Sequence, residues 1–274
     1  MAISRTTHAA QDARPAAVAG LFYPGEPTGL ARTVDDLLGR TSTQSEAPAV
    51  PKALIAPHAG YVYSGPVAAS AYRLLAPARD QVTRVVLLGP THRVAVRGVA
   101  VPAAPRFSTP LGTIELDVPA VESLRGMRQV VVSDEAHALE HSLEVHLPFL
   151  QKVLATFTLV PLAVGYASPE DVAVILEKLW GGPETLIVVS SDLSHYLSYT
   201  HAQQVDRETC DAILQLRSDI DHEHACGATP VSGLTLTARR KGLKPELVDL
   251  RNSGDTAGDK SRVVGYASFA FYER

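Results

Sequence analysis

Cysteine is nearly absent from this chain of 274 residues: Cys210 and Cys226 are its only two. Two thiols cannot build a disulfide framework, and they read as reduced side chains of a cytosolic protein. Long apolar runs are missing as well. The longest, such as Thr185–Ser190, are strand-length and fall far short of the ~20 residues that span a bilayer. Met1–Arg14 mixes Ser, Thr, His, Gln and charges without the apolar centre of a signal peptide. Neither sign of charge dominates: 25 Lys and Arg against 29 Asp and Glu leave a net charge of −4, with no basic run, which excludes nucleic acid as the main partner. G-x-G-x-x-G and G-x-x-x-x-G-K-[ST] are both missing, so nucleotide binding has no support. The expectation is a cytoplasmic protein without membrane contact.

What is plentiful is apolar side chain. Hydrophobic residues make up 46% and charged residues 20%, enough to bury a sizeable core and exclude wholesale disorder. Residues 1–14 read as a flexible tail and 15–274 as a single domain. Gly39–Pro51 is small, polar and Pro-bearing, a surface loop that comes too early to separate one domain from another.

Short β-branched or Leu-rich runs predict strands at Ala53–Ala56, Arg84–Leu88, Gly98–Pro102, Gly112–Leu116, Gln129–Ser133, Thr158–Val164, Thr185–Ser190, Glu246–Leu250 and Arg262–Tyr272. Several, such as RVVLL and TLIVV, do not alternate, as expected of strands covered on both faces. Helical periodicity marks Thr28–Leu38, Val67–Leu75, Ser142–Ala155, Pro169–Leu179, Ala202–Leu216 and Pro230–Lys241. This alternation predicts an α/β fold with a central mixed, largely parallel sheet flanked by helices. Gly98–Pro102 and Gly112–Leu116, joined through Pro105 and Pro110, read as an antiparallel excursion.

Three of the buried-type strands run into a histidine: ALIAP into His58, RVVLLGP into His92, and TLIVVSSDLS into His195. In an open α/β sheet the carboxyl ends of parallel strands line one edge, where ligands bind. Neutral imidazoles on rigid strand ends suit a transition metal. A third ligand is sought among Cys226, Glu144, His141, His146 and Asp192. Cys226 lies just ahead of a helix N-terminus, where a thiolate is stabilised. Cys210, mid-helix, belongs to the core. In Glu140–His146, Ser142 is the expected N-cap, and Glu144 and His141 share a face from which Glu144 projects into the crevice. Asp192 and His195 form a carboxylate–imidazole pair for acid–base work. A serine hydrolase built on Ser190 or Ser191 lacks the G-x-S-x-G elbow. Asn252–Lys260 reads as a long polar turn.

Taken together, the stretches AGLFYP (Ala19–Pro24), APHAGYVYSG (Ala56–Gly65), LLGPTH (Leu87–His92), EHSLEVHLPFLQ (Glu140–Gln151), VPLAVG (Val160–Gly165), SSDLSHY (Ser190–Tyr196), Cys226-Gly227 and NSGDTAGDKSRVVGYASF (Asn252–Phe269) resemble the Memo family, in order along nearly the whole chain. The resemblance implies a fold like that of LigB-type class III extradiol dioxygenases, whose Fe(II) is held by two His and a carboxylate. It implies metal-facing positions at His58, His92 and Cys226, with acid–base or supporting roles at Asp192 and His195. Glu144 joins these as a catalytic candidate. His141, Tyr61 and Phe22, the last standing where animal relatives carry Trp, are expected to contact substrate. A thiol in place of the carboxylate favours copper(I), iron or zinc over an oxygen-rich site, and iron or copper is the single ion expected ahead of zinc. The activity implied is a dioxygenase- or oxidase-like redox reaction on a small molecule or peptide, with AMMECR1-like and radical-SAM proteins as partners. The rival readings are a peptide-binding module and a metal-dependent hydrolase.

Overall fold

The structure, a computed structural model, describes residues 12–40 and 49–273. The described strands are β1 (Ala53–Ala56), β2 (Arg84–Pro90), β3 (Val99–Val101), β4 (Arg106–Thr109), β5 (Gly112–Glu115), β6 (Val130–Val132), β7 (Thr158–Val164), β8 (Thr185–Ser190), β9 (His195–Leu197), β10 (Lys244–Asn252) and β11 (Val263–Tyr272). The helices are α1 (Pro27–Arg40), α2 (Tyr61–Tyr72), α3 (Val118–Leu124), α4 (Asp134–Ala138), α5 (His141–Glu144), α6 (Leu147–Val153), α7 (Pro169–Leu179), α8 (Tyr199–Leu214), α9 (Ala228–Lys241) and α10 (Ser253–Thr256).

One mixed sheet runs in the order β10-β11-β1-β8-β2-β7-β3-β6, with β9 pairing to β11. Its centre, β1-β8-β2-β7, is parallel. The β10 and β11 side is antiparallel, and β3 meets β7 antiparallel. The two faces of the central strands feed different cores. Leu54, Val85, Leu87, Leu186 and Val188 pack with α1, α2 and α6, while Ile55, Val86, Leu88, Ile187 and Val189 pack with α3, α7, α8 and α9. Because successive strand side chains point to opposite faces, burial on both sides demands the unbroken apolar runs seen in the sequence. The helices are set by local signals. α7 opens on a reciprocal Ser168–Asp171 capping box followed by Pro169. α9 ends on Arg239, Arg240 and Lys241 and then Gly242 at φ 73°, a left-handed cap.

Several local expectations need correction. The predicted helix Ser142–Ala155 is two helices, α5 and α6, because Pro148 belongs in a first helical turn and starts α6 anew. The N-cap of α5 is Glu140 rather than Ser142: its carboxylate accepts the Ser142 N–H at 2.9 Å. β3 and β5 do not pair with each other. β5 forms a separate hairpin with β4, inside the stretch read as loop, where buried Phe107 and Thr109 alternate with half-buried neighbours. Asn252–Lys260 is not all turn, since Asn252 caps the one-turn helix α10 reciprocally with Asp255. Arg14, placed by the sequence in a loose tail, is buried and ion-paired to Glu144. Residues 1–11 of that tail, and 41–48 of the Gly39–Pro51 loop, lie outside the described residues. Among the described residues no helix is long and apolar enough to cross a membrane.

Candidate metal centre

β1, β8 and β2 are neighbours, so their carboxyl ends bring the segments bearing His58, Asp192 with His195, and His92 to one edge of the sheet. A fourth element arrives from the side. Gly89, near the end of β2, leaves room for α5: a Cβ there would stand 2.7 Å from Ser142 Oγ. Ser142 Oγ donates to the Pro90 carbonyl at 2.8 Å, which pins α5 across the strand end and delivers His141. Gly227 does the same for the loop before α9. A Cβ there would stand 2.6 Å from the Ser190 carbonyl, so only glycine lets Cys226 come down onto the end of β8.

The result is a cluster of three imidazoles. One ring nitrogen each of His58, His92 and His141 lies within 4.8 Å of the others. Ring centroids are 5.2 Å apart for His58 and His92, 5.4 Å for His58 and His141, and 4.6 Å for His92 and His141. Cys226 Sγ is 3.4 Å from His58 Nε2. Burial, joined by the neighbouring rings of His92 and His141, holds His58 well below the ordinary imidazole range, and burial first of all holds His141 down to about 4. Both are therefore neutral near pH 7, the form that binds metals. Burial, reinforced by Asp192, pushes the Cys226 thiol up to about 12.

The surrounding hydrogen bonds fix which nitrogen of His58 and of His92 faces inward. Ser190 Oγ donates its one proton to the Ser142 carbonyl at 2.6 Å. It therefore accepts from His58 Nδ1, also 2.6 Å away, and the lone pair of His58 is left on Nε2, beside Cys226. Glu140 holds His92 twice, accepting its backbone N–H at 2.5 Å and facing Nδ1 at 2.9 Å. Against a burial penalty, these bonds and that from Ser142 keep the Glu140 carboxylate down to about 2. Carboxylate-to-imidazole contacts of this kind orient metal-binding histidines. His141 Nδ1, 3.4 Å from Glu140 Oε1 but badly aligned, is buried without a hydrogen-bond partner.

Asp192 and Glu144 do different work from that expected. Asp192 Oδ1 accepts the His58 backbone N–H at 2.8 Å, and its carboxylate, pushed up to about 7 by burial, also takes the Ala59 N–H. No hydrogen bond joins Asp192 to His195 among the described residues, so the pair read from SSDLSH is not formed: the carboxylate is turned to the loop after β1. His195 starts β9 half-buried at the rim, lowered by burial, and the next residue, Tyr196, has φ 60°, a strained value for a bulky residue. Glu144 faces away from the crevice. Its oxygens accept from Arg14 Nη1 at 2.5 Å, Ala17 N at 2.7 Å, Val18 N at 3.0 Å and Tyr23 Oη at 2.6 Å. It ties down the N-terminal segment that packs Phe22 against His141, centroids 4.8 Å apart and rings tilted by 46°. Tyr61 is buried and spends its hydroxyl on the Val145 carbonyl at 2.6 Å. With Phe22 it lines a pocket of about 720 Å³. A second cavity, of about 510 Å³, opens directly on His92 and Cys226.

These side chains fit a transition metal. Nitrogen and sulfur ligands at about 2.1 and 2.3 Å in a tetrahedral set stand about 3.6 Å apart, close to the 3.4 Å between His58 Nε2 and Cys226 Sγ. His141 Nδ1 is buried without a hydrogen-bond partner, and the inward lone pair of His58 meets the Cys226 thiol. Sequence reasoning passed over Glu140 and gave Ser190 another role. A carboxylate next to a candidate ligand was the available signal for the first, while nothing local announces the second.

A parallel-centred sheet with His58 and His92 after neighbouring strands and His141 brought in by α5 defines an α/β protein with a three-histidine cluster that could hold a metal ion. The family described as Memo-like protein matches residues 14–270. Proteins named MEMO1 family protein are 34% identical in Methanopyrus kandleri, covering 94% of this chain and 98% of that one, and 34% identical in Aquifex aeolicus with the same coverage. One from Methanothermobacter thermautotrophicus is 35% identical over 93% of this chain and 98% of its own. The chain belongs to the Memo family. An uncharacterised protein of Escherichia coli K12 shares the fold at a TM-score of 0.50 and 14% identity, covering 80% of this chain and 99% of that chain.

Proposed function

We propose that this protein is a metal-dependent redox enzyme acting on a small molecule in the cavity beside His92 and Cys226. The observation that carries the reading is the convergence of three imidazoles within 4.8 Å of one another beside Cys226, with His58 held at Nδ1 by Ser190 and His92 by Glu140. His58, His92 and His141 would hold one ion, with Cys226 as the adjoining sulfur donor. Imidazole and thiol donors suit copper, iron and zinc; a redox role calls for iron or copper, with zinc as the rival. Such an ion supplies electron transfer and polarises a bound ligand.

The remaining work falls to the chain. Ser190 keeps the proton of His58 on Nδ1, and Glu140 orients His92 through Nδ1. Asp192 fixes the backbone at His58, so the ring cannot swing out with its loop. Phe22 covers one face of His141 and excludes water there. His195, neutral at the rim, is the group placed to take or give a proton.

Purification without chelators, followed by elemental analysis of wild type and His58→Ala, tests the reading. About one iron or copper per chain in the wild type and little in the variant is the expected result. Equal, near-zero metal in both removes the proposal. Zinc alone, with no oxygen consumption in the presence of ascorbate, transfers it to a hydrolase.

A further inference from the structure

The cavity of about 510 Å³ that opens on His92 and Cys226 has an uneven lining. Val94, Val96, Val164 and Ala167 make one wall apolar, and Tyr166, 81% exposed, stands at the mouth. Its charged lining residue is Arg93, and no Asp or Glu lines it. His222 lines it too, hydrogen-bonded through Nε2 to Thr229 Oγ1 at 3.0 Å. Thr229 is in the first turn of α9, a 14-residue helix whose N-terminus adds positive potential to the floor. Two carboxylates lie behind this lining: Glu140 has its oxygens committed to His92 and Ser142, and Asp192, next to Cys226, takes the His58 and Ala59 N–H groups. Among the described residues Arg93 has no ion-pair partner. A free guanidinium in a carboxylate-free hollow runs against the chain's net charge of −4, so the positive potential here is local.

We infer that this cavity binds a small organic carboxylate, its charged end on Arg93 and its apolar body against Val94, Val96 and Val164. Guanidinium pairs carboxylates in a planar, two-pronged contact, and a pocket of this volume takes a molecule of modest size with a few polar anchors. A carboxylate is favoured over inorganic phosphate because one arginine faces a largely apolar wall. A compact multiply charged anion would leave that wall unused and find too few donors. The inference deepens the metal-site reading, since the carboxylate would lie beside His92 and Cys226. Arg93 is not among the residues that would hold the ion, so the two can fail separately.

The test is calorimetric titration of the full chain with benzoate, its neutral analogue benzamide and inorganic phosphate, on wild type, Arg93→Gln and His58→Ala. Arg93 is exposed, so its replacement leaves the fold in place. The expected result is saturable benzoate binding, weakened about tenfold or more in Arg93→Gln and about tenfold or more for benzamide, with metal content unchanged in Arg93→Gln. Benzamide binding as tightly as benzoate, equal benzoate affinity in Arg93→Gln, phosphate binding more tightly than benzoate, or no saturable benzoate binding below about 10 mM each overturns it. Arg93-dependent benzoate binding that persists in metal-free His58→Ala supports the carboxylate subsite on its own. If the wild type also proves metal-free, that result leaves the subsite standing while the metal reading falls.

Discussion

Glu140 and Glu144 are four residues apart, both fully buried, and they mark two regions built on opposite rules. Around Glu144 every acceptor is used: Arg14, Tyr23 and two backbone N–H groups surround one carboxylate and weld the N-terminal segment to α5. Around Glu140 the carboxylate is also satisfied, but His141 Nδ1 beside it is buried without a hydrogen-bond partner. Leaving a buried polar atom unpaired costs on the order of 1–3 kcal/mol. Unpaired buried nitrogens occur at His137 and His146 too, so what sets this region apart is three rings that share one point. Burial and charge alone do not separate scaffold from candidate site; the convergence of the rings does.

The sharpest way to break this contrast is from the scaffold side. Glu144→Ala leaves the Arg14 guanidinium buried without its carboxylate, and a loss of about 3–5 kcal/mol is expected in denaturant unfolding. Folded variant, isolated at low temperature, should still take up metal as the wild type does. Metal loss at unchanged stability would reverse the assignment. From the other side, Glu140→Gln removes the charge that orients His92. Metal affinity should fall about 10–100-fold by competition titration with a chelator, with a smaller change in unfolding free energy.

Acid sharpens the comparison further. His58, His137, His141, His146 and His195 all have folded pKa values lowered, first by burial; His137 and His141 lie at about 4 and His146 at about 3. The unfolded chain therefore binds more protons than the folded one below pH 6.5, and stability rises with pH across that window. Asp192 and Asp206, pushed up by burial to about 7 and about 6, act in the opposite sense, but two groups oppose five. Metal-free protein should lose about 1.4 kcal/mol per pH unit for each net proton between pH 6.5 and 4.5, read from urea midpoints. A flat profile would show that the buried imidazoles are already charged. The smallest effect belongs to Tyr23→Phe, which removes one of four donors to Glu144 and should cost about 1 kcal/mol with no change in metal content.

Much of this arrangement was legible in the chain. The unbroken runs of β1, β2 and β8 announced strands covered on both faces, and their shared exit into His58, His92 and the His195 loop announced a common edge. Cys226 was singled out by the family resemblance, and the stabilised thiolate expected ahead of a helix start is overridden by burial, which raises the thiol to about 12. What stayed hidden depends on tertiary neighbours. The turn of Asp192 toward His58 is decided by the packing of the loop after β1, not by the three-residue spacing to His195. The commitment of Glu144 to Arg14 joins side chains 130 positions apart. The break between α5 and α6 was written at Pro148 and was open to reading, since proline belongs in a first helical turn. His141 reaches the cluster because Gly89 and Ser142 lock α5 across β2, a contact no local pattern displays.

Crystals grown from chelator-free protein, with diffraction recorded on both sides of the iron and copper absorption edges, test the central claim most directly. An anomalous peak within bonding distance of His58 Nε2 and of ring nitrogens of His92 and His141 is the predicted result. A fully metal-loaded preparation whose peak lies elsewhere, or a cluster in which those three nitrogens are hydrogen-bonded to one another around ordered water alone, would contradict it.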